Sequence, residues 1–139
     1  MITFLYPKDD WTAAEIVLKI QALAASQGYS VYSSPKNTKR NIDEIKMKLS
    51  KTDYAIFMAV DVNKIDADTQ TELEILSKTA KRICYLVPYG FELKNIKRNN
   101  IYRFKLDKEK PANALILSAL LLFLLLKCAL GYKIKLTFR

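Results

Sequence analysis

Two periods alternate along the first 106 residues. Ile2–Tyr6 (ITFLY) is a short uncharged run that stops at Pro7, the pattern of a buried strand. The spacing then changes. Ile16, Val17, Ile20, Leu23 and Ala24 recur at helical intervals and form one apolar stripe. Thr12 with Glu15 three residues on reads as a capping box for this helix, and Gly28 as its left-handed stop. Tyr29–Ser33 (YSVYS) predicts a second strand, and the polar SPKNTKRN a loop. Asn41 and Glu44 form a second capping pair, ahead of a short helix carrying Ile42, Ile45 and Leu49 on one face. Between Asp53 and Asp61, Tyr54–Val60 (YAIFMAV) is apolar in both phases, which suits a central strand covered on both sides.

The alternation continues. Asp61–Asp68 is a polar loop, and Thr69–Lys81 a third helix with Leu73, Leu76 and Ala80 inward and Ile75 beside them. Ile83–Val87 is a fourth strand ended by Pro88, and Ile101–Leu106 a fifth. Pro111, at the first-turn position proline favours, opens an apolar helix over 111–130. Residues 132–138 alternate apolar and basic, as an edge strand guarded by lysines or as a tail. Strands alternating with helices predict a single α/β domain over 1–139. The expected sheet is doubly wound, mainly parallel and five-stranded, in the flavodoxin-like order 2-1-3-4-5 with right-handed crossovers.

Composition narrows the chemistry. A length of 139 residues suits one domain with one core. Half of the residues are apolar and 27% charged, as in ordinary folded domains. There is no histidine, which removes Ser-His-Asp and Cys-His catalysis and histidine zinc sites. Cys84 and Cys128 are too few for an all-cysteine zinc site; both lie in apolar runs and read as buried thiols of a reducing, cytoplasmic compartment. With three glycines there is no Walker loop and no GxGxxG fingerprint. No metal and no resident cofactor is expected. MITFLYPKDD lacks the basic and long apolar regions of a signal peptide. The net charge of +9 would attract anions, but the basic residues are spread out: six against two acids over 36–51, seven against three over 89–110. They are not interleaved with aromatics as a stacking platform would need, so nucleic acid is disfavoured as a partner.

Topology selects the site. In the order 2-1-3-4-5 ligands bind at the carboxyl ends of the strands, between strands one and three, where the order reverses. Two acidic loops converge there: Pro7-Lys8-Asp9-Asp10 after strand one, and Asp61–Asp68 after strand three, leading to Glu72 on the first turn of the third helix. The amides at that helix start can bind phosphate or a sugar hydroxyl. Asp9, Asp10, Asp66 and Asp68 are also what helix caps look like. Glu72 lies past the cap position, and the helix dipole would favour its negative charge.

At these residues the chain resembles a superfamily with two branches. DYAIFMAVDVNKIDADTQTELE, residues 53–74, is similar to the Toll/interleukin receptor (TIR) pattern of an apolar strand, a polar loop and a Glu-Leu pair, here Glu72-Leu73. It is also similar to the nucleoside 2-deoxyribosyltransferase pattern of a strand-end Asp followed by Asp-x-Gly-Thr-x-x-Glu, matched by Asp61, Asp66, Thr69 and Glu72, with Asp68 in place of the glycine. LAASQGYSVY matches an upstream step of both branches, and PKDD lies closer to the TIR branch. The polar Ser33–Asn41 segment stands where TIR domains carry an interaction loop. Tyr6-Pro7 replaces the transferase's Gly-Pro, and Asp68 and Thr69 stand where TIR domains usually carry a Ser or Trp ahead of the glutamate.

The resemblance covers residues 1–106 and implies a TIR-like fold. It further implies an N-glycosidase acting on NAD or a related nucleotide in defence or signalling. Glu72 and Asp61 would be catalytic, and Tyr6, Asp9, Asp10, Asp66, Asp68 and Thr69 would contact substrate. A carboxylate there stabilises or attacks an oxocarbenium-like ribose, a reaction that needs neither histidine nor metal. Lys8, Lys36, Lys39 and Arg40 would hold a pyrophosphate. The alternatives are a non-catalytic TIR-like assembly module and a deoxyribosyltransferase-like enzyme.

ANALILSALLLFLLL, residues 112–126, is uncharged over fifteen residues. At 1.5 Å per residue it reaches about 22 Å, short of a bilayer core of roughly 30 Å. It reads as a domain helix covered outside by a second subunit, as a membrane anchor, or as a core helix. A homo-oligomer through 112–126 is the expectation, because a helix apolar all round must be hidden all round.

Overall fold

The computed structural model describes residues 1–36, 40–61 and 63–90, and the backbone of 100–104. β1 (Ile2–Leu5), β2 (Val31–Tyr32), β3 (Tyr54–Met58) and β4 (Arg82–Pro88) form a parallel sheet in the order β2-β1-β3-β4. The helices are α1 (Trp11–Ser26), α2 (Ile42–Ser50) and α3 (Ala67–Thr79). The register carries Leu5 beside Phe57 and Phe57 beside Tyr85. The backbone of Asn100–Phe104 runs parallel beside β4, from Cys84↔Asn100 to Pro88↔Phe104.

Alternate side chains of the strands go to opposite faces. On one face Ile2, Phe4, Ile56, Met58, Cys84 and Leu86 pack with Ile16, Val17 and Ile20 of α1. On the other, Leu5, Ala55, Phe57, Ile83, Tyr85 and Val87 meet Ile45 and Leu49 of α2 and Leu73 and Leu76 of α3. This is why the central strands read as apolar in both phases. Tyr85 is fully buried, edge-on to Phe57 with ring centroids 6.3 Å apart. Burial, with Cys84 beside it, pushes its hydroxyl's pKa up to about 12.

Local chemistry shifts several boundaries. α1 starts at Trp11, capped by Asp10 and not by Thr12, because the Asp10 carboxylate accepts from the Ala13 amide at 3.1 Å. Gly28 adopts φ +90°, the left-handed conformation expected after this helix. β2 is two residues, shorter than YSVYS. Asn41 does cap α2, accepting from the Glu44 amide at 3.3 Å, but Ile42 at its first position is 57% exposed. Among the described residues no helix is long and apolar enough to cross a membrane. Residues 111–130 and 132–138, and with them Cys128, lie outside the described residues.

Candidate functional site

The carboxyl ends of the strands gather the acidic loops, but each carboxylate has its own task. Asp10 is buried. One oxygen caps α1; the other accepts from the amides of Val60 at 2.7 Å and Asp61 at 3.0 Å. It thereby fixes the chain leaving β3 to the start of α1. Asp61 accepts from the Asn63 amide at 3.0 Å and lies 3.9 Å from Lys64. Asp9 is exposed.

Asp66 caps α3. It accepts from the Thr69 amide at 3.1 Å and the Thr69 hydroxyl at 2.7 Å, and the Lys8 amide reaches it at 3.0 Å from the loop after β1. Burial opposes the charge, but these bonds win and hold the Asp66 carboxyl below its ordinary value. Thr69 is fully buried in this cap. Asp10, Asp61, Asp66 and Thr69 thus spend these bonds on the backbone and on one another, tying down the loops after β1 and β3. Because the cap is Asp66, Glu72 falls in the second turn of α3 rather than the first, further from the positive end of the helix dipole.

Glu72 is 2% exposed. Arg40 donates to its Oε1 at 3.0 Å, and the Lys36 ammonium lies 3.8 Å from Oε2. Oε2 has no hydrogen-bond partner among the described residues. Arg40 also donates to the Pro35 carbonyl at 2.6 Å and approaches the exposed Asp68 at 3.8 Å. A crevice of about 40 Å³ adjoins the pair, lined by Arg40, Ile45, Asp68, Thr71 and Glu72. Among the described residues, no hydrogen bond or ion pair joins Glu72 to Asp10 or Asp61, though all three stand at the same sheet edge.

Lys36 links this pair to the other side of the edge. Its ammonium sits 4.8 Å from the centre of the Tyr6 ring, over its face. Burial lowers its pKa, with the Glu72 and Asp66 charges pulling the other way. Tyr32 has its pKa raised by burial and then by the negative charge of Glu72. Beyond Lys36 an open groove of about 580 Å³ lies between α1 and the chain leaving β2.

Lys36 contacts both the Tyr6 ring and Glu72, and Arg40 bonds Glu72, so the two cations expected to hold a pyrophosphate both turn to the glutamate. Gln21 lines the groove from α1 without any sequence signal, and Ser33 and Ser34 line it from the polar segment that follows β2. Lys39 lies outside the described residues. No cluster of three or more His, Cys, Asp or Glu that could hold a metal occurs among the described residues. Comparison with protein-family models, curated proteins and solved structures finds no match to this chain.

Proposed function

We propose that this protein is a TIR-like N-glycosidase that cleaves NAD or a related nucleotide, with Glu72 as the carboxylate facing the developing ribosyl cation. The carrying observation is Glu72 Oε2: buried, lacking a hydrogen-bond partner among the described residues, and facing the Lys36 ammonium. One oxygen held by Arg40 and one left over is what a positioned carboxylate nucleophile or electrostatic stabiliser needs. The substrate's phosphate would draw Lys36 off Glu72 and free Oε2 to face the ribose. Asn100–Phe104 would complete a five-stranded, flavodoxin-like sheet, in a cytoplasmic homo-oligomer joined through residues 112–126.

The test is incubation with NAD and, separately, with deoxynucleosides, followed by separation of the released bases. Glu72→Gln keeps shape and a bond to Arg40 but removes the charge; turnover of the cleaved substrate should fall on the order of a hundredfold or more. Unchanged turnover in a folded variant would remove Glu72 from the chemistry. Base exchange between deoxynucleosides would instead assign the transferase reaction.

A second reading has its own support. The 3.0 Å Arg40–Glu72 bond ties the loop before α2 to α3 across 32 residues of sequence. In a non-catalytic assembly module that bond would be purely structural. Absence of cleavage, with Glu72→Gln lowering only stability, would favour this reading.

A further inference from the structure

Lys36 stands where an amine can do covalent chemistry. Its side chain is 17% exposed, with the ammonium 3.8 Å from Glu72 Oε2 and 4.8 Å from the centre of the Tyr6 ring. Glu72 Oε2 is sealed from solvent and lacks a hydrogen-bond partner among the described residues, whereas the Lys36 ammonium is not among such sealed atoms. Lys36 also lines the open groove of about 580 Å³, beside Tyr6, Leu18 and Pro35. A lysine attacks a carbonyl only as the free amine, the form that burial favours. Burial lowers the Lys36 pKa; the Glu72, Asp66 and Asp68 charges oppose this, and the Arg40 charge adds to it. An amine at a cavity and a carboxylate with an uncommitted oxygen are the two groups that imine formation needs. Among the described residues Lys36 is the one charged side chain lining the groove. An anionic carbonyl compound would find no second cation there, while Tyr6, Leu18 and Pro35 offer apolar surface.

We propose that Lys36 captures a small uncharged aldehyde in this groove as an imine, with Glu72 as the proton carrier. The free amine adds to the carbonyl carbon. Glu72 Oε2 relays the amine's two protons to the carbonyl oxygen, which leaves as water, and the nitrogen lone pair forms the C=N bond. Capture requires the Lys36–Glu72 pair and no cleavage of a nucleotide.

Reductive trapping on the whole chain tests it. The protein is held with cyanoborohydride and butanal, or with cyanoborohydride and glyoxylate, and the adducts are located by peptide mass mapping. The exposed Lys19 and Lys81 serve as internal references. At pH 7 butanal should modify Lys36 at least about tenfold faster than either, a modest share of what a positioned proton carrier supplies. Glyoxylate should show no such preference. Lys36→Arg keeps a cation beside Glu72 and should abolish the fast adduct. Glu72→Gln removes the proton carrier and also a charge that raises the Lys36 pKa. The pH midpoint of Lys36 labelling should therefore fall, and the plateau rate above it should drop at least about tenfold. Lys36 labelled no faster than Lys19 would overturn the proposal, and that ratio is read in the wild type, whether or not a variant folds. An undiminished plateau in Glu72→Gln would remove the proton carrier, and an equal preference with glyoxylate would overturn the uncharged aldehyde. The two ideas fail separately. Fast capture at Lys36 in a protein that releases no base would sink the glycosidase reading and leave capture standing. Base release with Lys36 labelled at the rate of Lys19 would do the reverse.

Discussion

Asp10 shows how one side chain can resemble a functional group and serve as architecture. Its two oxygens take three backbone amides, from Ala13, Val60 and Asp61. The capping bond was legible, since an aspartate ahead of an apolar-periodic run is a standard start signal. The bonds to Val60 and Asp61 were not, because they span 50 and 51 residues and exist only once β1 and β3 pair. Asp10→Ala should therefore cost more than a lost cap. It would leave two further amides unpaired where the chain leaves β3, and about 2–4 kcal/mol of stability should be lost. Chemical denaturation measures this; a loss no larger than that of a surface substitution would mean that Asp10 clamps nothing. Glu72 poses the opposite case. Its sequence context marked a glutamate beyond the cap position, but the turn to Arg40 and Lys36 comes from the loop after β2, where no local pattern announces it.

At the scale of elements, helix starts are set by which carboxylate or amide reaches the first free amides, and that choice moved two boundaries. Thr12 and Thr69 both looked like plausible openings. Asp10 and Asp66 take the role instead, and the Thr69 hydroxyl donates to Asp66. The alternating period survived these shifts, because burial on both sheet faces depends on strand pairing and not on where a helix begins. Asp66 also joins two elements, since the Lys8 amide bonds it from the loop after β1. Its carboxyl is held below the usual value, so the folded state prefers the ionised form. The resulting stability is fully present above the ordinary aspartate pKa of about 3.9. It is lost as pH falls below that value, through the lowered folded pKa. Asp66→Asn keeps a capping oxygen but has no such titration. The stability gap between wild type and Asp66→Asn, followed by thermal unfolding, should be constant near neutrality and shrink as pH falls below about 4. A gap equally wide at pH 3 and pH 6 would show that the charge at position 66 contributes nothing.

For the whole molecule the decisive segment is 112–126. Among the described residues, α1 covers one face of the sheet, while α2 and α3 cover the other. A doubly wound sheet carries helices on both faces, and the apolar side chains of β3 and β4 toward α1 (Ile56, Met58, Cys84 and Leu86) are buried. A helix following the strand beside β4 would return across this same face by a right-handed crossover. One side of 112–126 would then meet the sheet, and the other, equally apolar, a second copy of itself. If 112–126 is helical, its spacing would put Leu120, Phe123 and Leu124 on one face and Leu121, Leu122 and Leu125 largely on another. A two-fold interface uses one patch twice, so a charge in it is felt twice. Leu122→Glu should convert a soluble dimer into a soluble monomer, as read by light scattering of the purified protein. An anchor behaves otherwise: the wild type would need detergent, and the same charge would cost about 2.5–3.5 kcal/mol at the bilayer centre. Fractionation of cells expressing the intact chain separates the two. Recovery only with membranes, and only in detergent, would overturn the oligomer and make 112–126 the anchor that holds the Glu72 edge near a lipid surface.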